Sequence, residues 1–116
     1  MHSDKFYERY HSGTKFQKRV INKYDFTYRN IINILDKYVE PKSKILDIGC
    51  GTGAIDFYLA KQKNHIMGVD ISNTAIKYAK INSERFGFSN YIDFKVRKFP
   101  HFTEKGLFDV VLCFEI

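Results

Sequence analysis

Three glycines and two aspartates are spaced so that together they could hold a small ligand. Gly49, Gly51 and Gly53 fall within five positions of the chain. Asp47 precedes the first of them by two residues, and Asp70 follows it by 21. Glycine permits a positive φ and lets a ligand contact the main chain, and a carboxylate can accept hydrogen bonds from both hydroxyls of a ribose. These residue types indicate a turn that receives a nucleotide-like ligand.

The glycines are predicted to lie where a strand turns into a helix. The apolar segment KILDI at residues 44–48 is typical of a strand, and a helical pattern follows from about Ala54 to Lys61. In a parallel sheet, ligands bind beyond the carboxyl ends of the strands at such a turn. We therefore expect the backbone N–H groups of Gly53 and Ala54 to face the ligand. A tight turn without a ligand is the alternative.

Strands and helices alternate along the rest of the chain. One helix is expected over residues 25–39 and is ended by Pro41, and another runs from a cap at Ser72 to Gly87. The alternation indicates βαβ crossovers and a parallel sheet, that is, a Rossmann-like, doubly wound α/β fold. Three further strands are predicted, at residues 65–71, 91–96 and 107–114.

The composition is that of a packed globular domain. Hydrophobic residues make up 44% of the 116 residues and aromatic residues 16%, which is too apolar for a disordered chain. The N-terminus is too polar for a signal peptide, and the longest apolar segment, LFDVVLCF, is too short to span a membrane. Both cysteines, Cys50 and Cys113, fall at predicted core positions, which favours reduced thiols and a cytoplasmic location.

The net charge of +6 raises the question of a nucleic-acid partner. Lysines are spread over most of the chain, and the one local cluster of cations consists of Lys15, Lys18, Arg19 and Lys23. A solvated helix face explains this cluster without RNA. A non-catalytic RNA-binding module, whose affinity would fall steeply with salt, is kept as an alternative.

The glycine motif fits two kinds of cofactor. Gly49, Gly51 and Ala54 match the dinucleotide pattern G-x-G-x-x-[G/A], and Asp70 has the spacing of the acid that binds a ribose. This pattern by itself would predict NAD and an oxidoreductase. Asp47 argues against that prediction, because a carboxylate beside the turn would repel a pyrophosphate and would suit a ligand with a cationic amino group.

Three motifs together resemble the class I S-adenosylmethionine-dependent methyltransferases. ILDIGCGTG at 45–53 is similar to the family's first motif, GVDIS at 68–72 to its second, and FDVVLCFEI at 108–116 to its fourth. The resemblance covers the chain from about Tyr28 to Ile116. It implies a doubly wound, mostly parallel sheet whose first four strands lie in the order 3-2-1-4, with S-adenosylmethionine across strands one, two and four.

The resemblance also implies which residues bind the cofactor. Asp47 would face the methionine amino group, and the backbone of residues 49–53 would surround the methionine and ribose. Asp70 would accept from both ribose hydroxyls, and Ile71 would lie against the adenine. The alternative for Asp70 is to cap the helix that begins near Ser72. No metal ligand is expected, and the predicted cofactor-binding residues are Asp47, Gly49, Cys50, Gly51, Gly53, Asp70 and Ile71.

Two parts of the expected site have no clear residue. Many relatives place an aspartate after the third strand to bind the adenine amino group, but this chain has Lys95, Arg97 and Lys98 there. Either backbone and apolar contacts hold the adenine, or Asp93 does. His101 is a candidate base, although a single loop histidine is typical of a solvated surface, so the catalytic residues stay unknown.

The segment around the end of the fourth strand bears on the acceptor. Amino-methyltransferases of this fold that act on DNA or RNA carry [Asp/Asn]-Pro-Pro-aromatic there, and cytosine C5 enzymes carry Pro-Cys. This chain reads CFEI, so we interpret Cys113 as a buried structural thiol and disfavour nucleic acid as a partner. The pattern favours a small-molecule or sugar-like acceptor, with Glu115 beginning an acceptor-facing loop.

Two segments are expected: an N-terminal helical or lid segment at residues 1–24 and the cofactor-binding domain at 25–116. The N-terminal segment is predicted either to cover the cofactor or only to pack the first helix onto the sheet. The fourth strand is central in the family's sheet, whereas this chain ends with it. We therefore expect an incomplete domain, weak activity, and self-association through residues 108–114.

Overall fold

The described residues form a parallel four-stranded sheet, in which one helix connects the first strand to the second and another connects the second strand to the third. The structure is a computed structural model that describes residues 19–98 and 108–114. The strand order is β3-β2-β1-β4, and all neighbouring strands are parallel. The predicted Rossmann-like topology with the order 3-2-1-4 is therefore confirmed. The strands are β1 (Lys44–Ile48), β2 (His65–Asp70), β3 (Ile92–Val96) and β4 (Val110–Leu112).

Two of the three described helices have the predicted bounds, and the first is shorter. The N–H groups of Tyr28 and Arg29 both donate to the carbonyl of Asp25. This turn delays the start of the first helix by four residues. The helices are α1 (Arg29–Tyr38), α2 (Ala54–Lys61) and α3 (Asn73–Phe86).

The ends of α3 are set by the two residues predicted for them. Ser72 Oγ accepts the N–H of Ala75 at 3.1 Å, so Ser72 is the N-cap. Gly87 ends the helix with a φ of 79°, the left-handed conformation that favours glycine at this position. Local side-chain chemistry therefore fixes where α3 follows β2.

An aromatic cluster fixes α2 on the sheet. Phe57 is fully buried, and its ring lies 5.2 Å from that of Phe86, 6.1 Å from that of Phe88 and 6.0 Å from that of Phe94, measured between centroids. Aromatic pairs at these distances stabilise beyond the apolar area they bury. Because α2 begins directly after the glycines, this packing also holds the glycine segment in place.

The fourth strand is shorter and more exposed than predicted. Leu112 is buried, whereas Val111 on the opposite face is 57% exposed. Cys113 lies beyond the end of β4 and is exposed. The interpretation of Cys113 as a buried core thiol was wrong, because β4 lies at the edge of the described sheet and its last residue is Leu112. Self-association through this strand stays a prediction.

Several predictions fall on residues outside the described part of the chain. These are residues 1–18 of the N-terminal segment, His101, Glu115, and Lys15 and Lys18 of the basic cluster. Arg19, which belongs to that cluster and is described, forms an ion pair with Asp25. Among the described helices, none has the length and apolar character needed to cross a membrane.

Candidate functional site

The glycine turn, residues 49–53, connects β1 to α2. At three of its positions the backbone conformation favours glycine. The φ angle is 77° at Gly49, 59° at Gly51 and 93° at Gly53, a region that other residues rarely adopt. An added Cβ at Gly53 would also lie only 2.8 Å from Cζ of Phe94. The spacing of the three glycines therefore follows from the shape of the turn.

Most N–H groups of the glycine turn are bonded within the protein. Gly49 and Cys50 donate to the carbonyl of Val69 at 2.8 and 3.0 Å. Gly53 donates to the carbonyl of Cys50 at 3.1 Å, and Gly51 donates to a side chain described below. The expectation that the Gly53 N–H faces a ligand was wrong, because the turn closes on itself. Phosphate groups are typically bound by N–H groups that have no partner within the protein, and these four N–H groups already have one.

Asp70 ends β2 beside the turn, and two N–H groups hold its carboxylate. Oδ2 accepts from Gly51 at 2.9 Å and Oδ1 accepts from Ser72 at 3.0 Å. A carboxylate can accept about four hydrogen bonds, so these two bonds are compatible with a ribose diol. The capping alternative holds only in part, because Asp70 accepts from Ser72 while Ser72 itself caps α3.

Asp47 lies in a row of register partners that crosses the sheet, with Leu112 on one side and Gly68 and Phe94 on the other. We call these four residues the cross-sheet row. Asp47 is 3% exposed, and Asp56 of α2 is fully buried above the row. An added Cβ at Gly68 would lie 2.9 Å from Oδ2 of Asp56. The missing side chain of Gly68 therefore makes room for a second carboxyl group next to Asp47.

The buried position of Asp56 favours the neutral form of its carboxyl group. Burial raises its pKa well above the usual range, and the neighbouring carboxylate of Asp47 raises the pKa further. Asp56 lies in the first turn of α2, where the helix dipole favours a negative charge by about 0.3–1 kcal/mol. Leaving an unpaired charge buried costs about 3–5 kcal/mol, so burial outweighs the dipole.

Sequence reasoning did not single out Asp56. The available signal was a carboxylate between Ile55 and Phe57 in a short, otherwise apolar helix, since acidic residues are rarely buried without a partner. Its significance depends on Gly68, which is twelve positions away in the sequence and whose contact with Asp56 is made only by the fold.

Cys50 contributes its backbone to the turn and keeps its thiol protonated. The Sγ atom lies 3.6 Å from the carbonyl oxygen of Gly51. Burial raises the pKa of the Cys50 thiol, and the carboxyl groups of Asp56, Asp47 and Asp70 raise it further. A thiol with a raised pKa is a poor nucleophile, so the Cys50 side chain is not suited to nucleophilic catalysis.

The other residues considered for binding the adenine lie at two different edges of the sheet, the carboxyl edge and the amino edge. Ile71 directly follows Asp70 at the carboxyl edge and is partly exposed. Arg97 lies at the same edge, where its N–H donates to the carbonyl of Asp70 at 2.9 Å. No cluster of three or more His, Cys, Asp or Glu side chains in the described ranges is arranged to hold a metal ion.

Asp93 is not placed to bind the adenine. It is the second residue of β3, it is exposed, and it forms an ion pair with Lys95 at 3.5 Å. It lines a cavity of about 260 Å³ together with Lys44 and His65, the first residues of β1 and β2. That cavity lies at the amino edge of the sheet, opposite the glycine turn.

Comparison with known proteins identifies the family. Residues 39–116 match the family model described as a methyltransferase domain. The chain belongs to this family, and the resemblance to S-adenosylmethionine-dependent methyltransferases is confirmed. The fold is similar to that of an S-adenosylmethionine-dependent methyltransferase from Thiobacillus denitrificans in complex with S-adenosyl-L-homocysteine, with a TM-score of 0.71 and 19% identity over 97% of this chain and 44% of that chain.

Two curated relatives show how much of a longer protein the match covers. The release factor glutamine methyltransferase of Buchnera aphidicola subsp. Schizaphis graminum is 42% identical over 74 residues, which is 62% of this chain and 27% of that protein. The ubiquinone biosynthesis O-methyltransferase of Hahella chejuensis is 28% identical over 78 residues, 66% of this chain and 32% of that protein. The chain thus spans about a third or less of the length of these relatives.

Proposed function

We propose that this chain binds S-adenosylmethionine at the carboxyl edge of its sheet and is the cofactor-binding part of a methyltransferase for a small-molecule or sugar-like acceptor. The observation that carries the proposal is the Asp70 carboxylate. The carboxylate accepts hydrogen bonds from the N–H groups of Gly51 and Ser72 at 2.9 and 3.0 Å, and it lies beside the glycine turn. A fixed acceptor at that edge fits a ribose diol.

The residues at this edge suit the other parts of the cofactor as well. Asp47 supplies a negative charge for the methionine amino group, the glycine turn admits the ligand close to the main chain, and Ile71 offers an apolar contact for the adenine. When bound, the cofactor supplies a methyl group on a positively charged sulfur. The chain contributes binding and orientation of that group.

A dinucleotide is a poorer fit to the same edge. The N–H groups of Gly49, Cys50 and Gly53 are bonded to carbonyl groups of the protein, so they do not form a cradle for a pyrophosphate. The buried carboxylate of Asp47 next to the turn adds a repulsion for phosphate groups. We therefore expect S-adenosylhomocysteine to bind and NADH not to bind.

The proposed acceptor class rests on the segment after β4. Neither Pro-Pro nor Pro-Cys follows the apolar run, and one relative is named a ubiquinone biosynthesis O-methyltransferase. A protein acceptor is the second candidate, because the relative at 42% identity is named a release factor glutamine methyltransferase.

Calorimetric titration tests the cofactor, with S-adenosylhomocysteine and NADH as probes. We expect heat from S-adenosylhomocysteine alone, and binding of NADH alone would contradict the proposal. Labelled S-adenosylmethionine, incubated with the protein and with separated small-molecule, protein and RNA fractions of a cell extract, tests the acceptor. We expect label in the small-molecule fraction. Label confined to the protein or the RNA fraction would contradict the proposed acceptor class and identify the other one.

A further inference from the structure

Asp56 is a buried acid without a donor. Both of its carboxyl oxygens are inaccessible to solvent and have no hydrogen-bond partner among the described residues. The polar group that acts on it most directly is the carboxylate of Asp47. Two ionised carboxylates only accept hydrogen bonds, so a bond between them requires that one holds a proton.

The fold fixes the two carboxyl groups against each other. Asp47 belongs to the cross-sheet row, and Gly68 is its register partner on β2. Oδ2 of Asp56 would lie 2.9 Å from a Cβ at Gly68, so Asp56 fills the space that a side chain would take. The next residue of α2, Phe57, is fully buried in the aromatic cluster, which prevents the helix from moving away.

The groups around Asp56 come from four elements. Asp47 faces it from β1, and Cys50 lies near it in the glycine turn. Gly68 on β2 and Phe94 on β3 present no titratable group. Among the described residues, neither of the titratable groups placed against Asp56 carries a positive charge, which favours a proton on Asp56.

We propose that Asp56 is a positioning residue that holds a proton against the carboxylate of Asp47, so that the pair carries one negative charge and directs it toward the amino group of the bound cofactor. This inference rests on the proposed function, because it assigns Asp47 to that amino group. It adds a residue to the site and a defined protonation state. The bond also fixes the orientation of the Asp47 carboxylate before the ligand arrives, which lowers the cost of ordering it on binding.

Infrared spectroscopy of the ligand-free protein tests the shared proton independently of any cofactor. A protonated carboxylic acid has a carbonyl stretch that an ionised carboxylate lacks. We expect this band at neutral pH in the parent protein, its loss in Asp56→Asn, and its retention in Asp93→Asn, which changes an exposed aspartate. The absence of the band from the parent protein would overturn the proposal.

Titration with S-adenosylhomocysteine tests the positioning role. Asp56→Asn keeps an N–H donor for Asp47 and is expected to bind about as tightly as the parent. Asp56→Leu has no donor and is expected to bind about tenfold more weakly or worse, the effect of losing a hydrogen bond to a charged group. If the leucine variant does not fold, as judged by circular dichroism, Asp56→Ala replaces it.

The remaining outcomes separate this inference from the proposed function. Equal affinities of the asparagine and leucine variants would overturn the positioning role even if the infrared band is present. An Asp47→Asn variant with unchanged affinity would overturn the role of Asp47, and the positioning role with it. Loss of binding in Asp47→Asn, together with binding that is retained in Asp56→Asn and weakened in Asp56→Leu, supports both the role of Asp47 and the positioning role of Asp56.

Discussion

The backbone N–H of Gly51 donates a hydrogen bond of 2.9 Å to Oδ2 of Asp70, linking positions 19 residues apart. This bond joins the turn after β1 to the end of β2. The carboxylate proposed to bind the ribose and the glycine turn are therefore one structural unit. A substitution at either position is expected to affect both the ligand site and the stability of the turn.

Replacement of Asp70 by alanine is expected to weaken S-adenosylhomocysteine binding by about 1.5–3 kcal/mol, the range for a hydrogen bond to a charged group. The free energy of unfolding should also fall, because the N–H groups of Gly51 and Ser72 lose their acceptor. Asp70→Asn should cause smaller losses of affinity and stability than Asp70→Ala, since its amide oxygen still accepts a hydrogen bond. Calorimetry and denaturant unfolding measure the two quantities.

The matched control for Asp70 is Asp93→Ala. Asp93 is exposed, forms an ion pair with Lys95 at 3.5 Å, and lies toward the amino edge of the sheet. It should leave both affinity and stability nearly unchanged. A folded Asp70→Ala variant that binds S-adenosylhomocysteine as tightly as the parent would show that the ribose lies elsewhere.

Replacement of Gly51 by valine is expected to abolish cofactor binding while the far-UV circular dichroism stays nearly native. A β-branched residue resists the φ of 59° at this position, and its side chain would occupy space beside the turn. Gly87→Val is the control, because Gly87 also has a positive φ, of 79°, but has no atom within 4 Å of an added Cβ. Both variants should lose stability, and only Gly51→Val should lose binding. Retained binding in Gly51→Val would make the turn purely structural.

Elements whose ends depend on local chemistry could be predicted from the sequence. The bounds of α3 follow from the hydroxyl of Ser72 and the left-handed Gly87, both of which act within a few residues. The start of α1 was predicted too early, because the carbonyl of Asp25 takes the N–H groups of Tyr28 and Arg29 in a turn. Periodicity alone does not distinguish such a turn from the first turn of a helix.

Features that depend on contacts between distant residues could not be predicted. The exposure of Cys113 depends on what packs beside β4, which the apolar sequence of that strand does not specify. The bond that occupies the Gly53 N–H depends on the closure of the turn. Asp56 became significant only when the fold placed it over Gly68 and next to Asp47. The common location of Asp47, the glycine turn and Asp70 could be predicted because strand ends in a parallel sheet meet at one edge, while their roles in binding stay predictions.

Replacement of Gly68 by alanine is expected to reduce the free energy of unfolding by about 1–3 kcal/mol, the usual cost of overpacking. The new Cβ would lie 2.8 Å from Cδ1 of Phe94 and 2.9 Å from Oδ2 of Asp56, so both side chains would have to move. Phe94→Leu in the same chain removes the ring and should recover part of the loss that Gly68→Ala causes by itself. A double-mutant cycle in urea measures this coupling, and purely additive effects would contradict the contact.

The last prediction concerns the pH dependence of stability at Asp56. Its pKa in the folded protein is raised above the ordinary value of 3.8 because of burial and the nearby Asp47 carboxylate. The folded state therefore binds a proton more tightly than the unfolded state. This contribution to stability is complete below about pH 4 and is lost as the pH rises from there toward the folded pKa, by up to about 1.4 kcal/mol per pH unit. Asp56→Asn has no such proton, so its free energy of unfolding minus that of the parent should increase steadily from about pH 4 upward.

Urea unfolding of both proteins over this pH range measures the difference. Asp25, whose pKa is lowered to about 2 by its hydrogen bonds to Arg19 and to the N–H of Asn22, stabilises the fold above its unfolded pKa and loses that effect as the pH falls. Because both proteins retain Asp25, its contribution cancels in the subtraction. The pair of Asp47 and Asp56 titrates as a unit, so the slope belongs to the pair. A difference that stays constant with pH would mean that Asp56 is ionised in the folded protein, and the buried charge would then need a cation that the described residues do not place beside it.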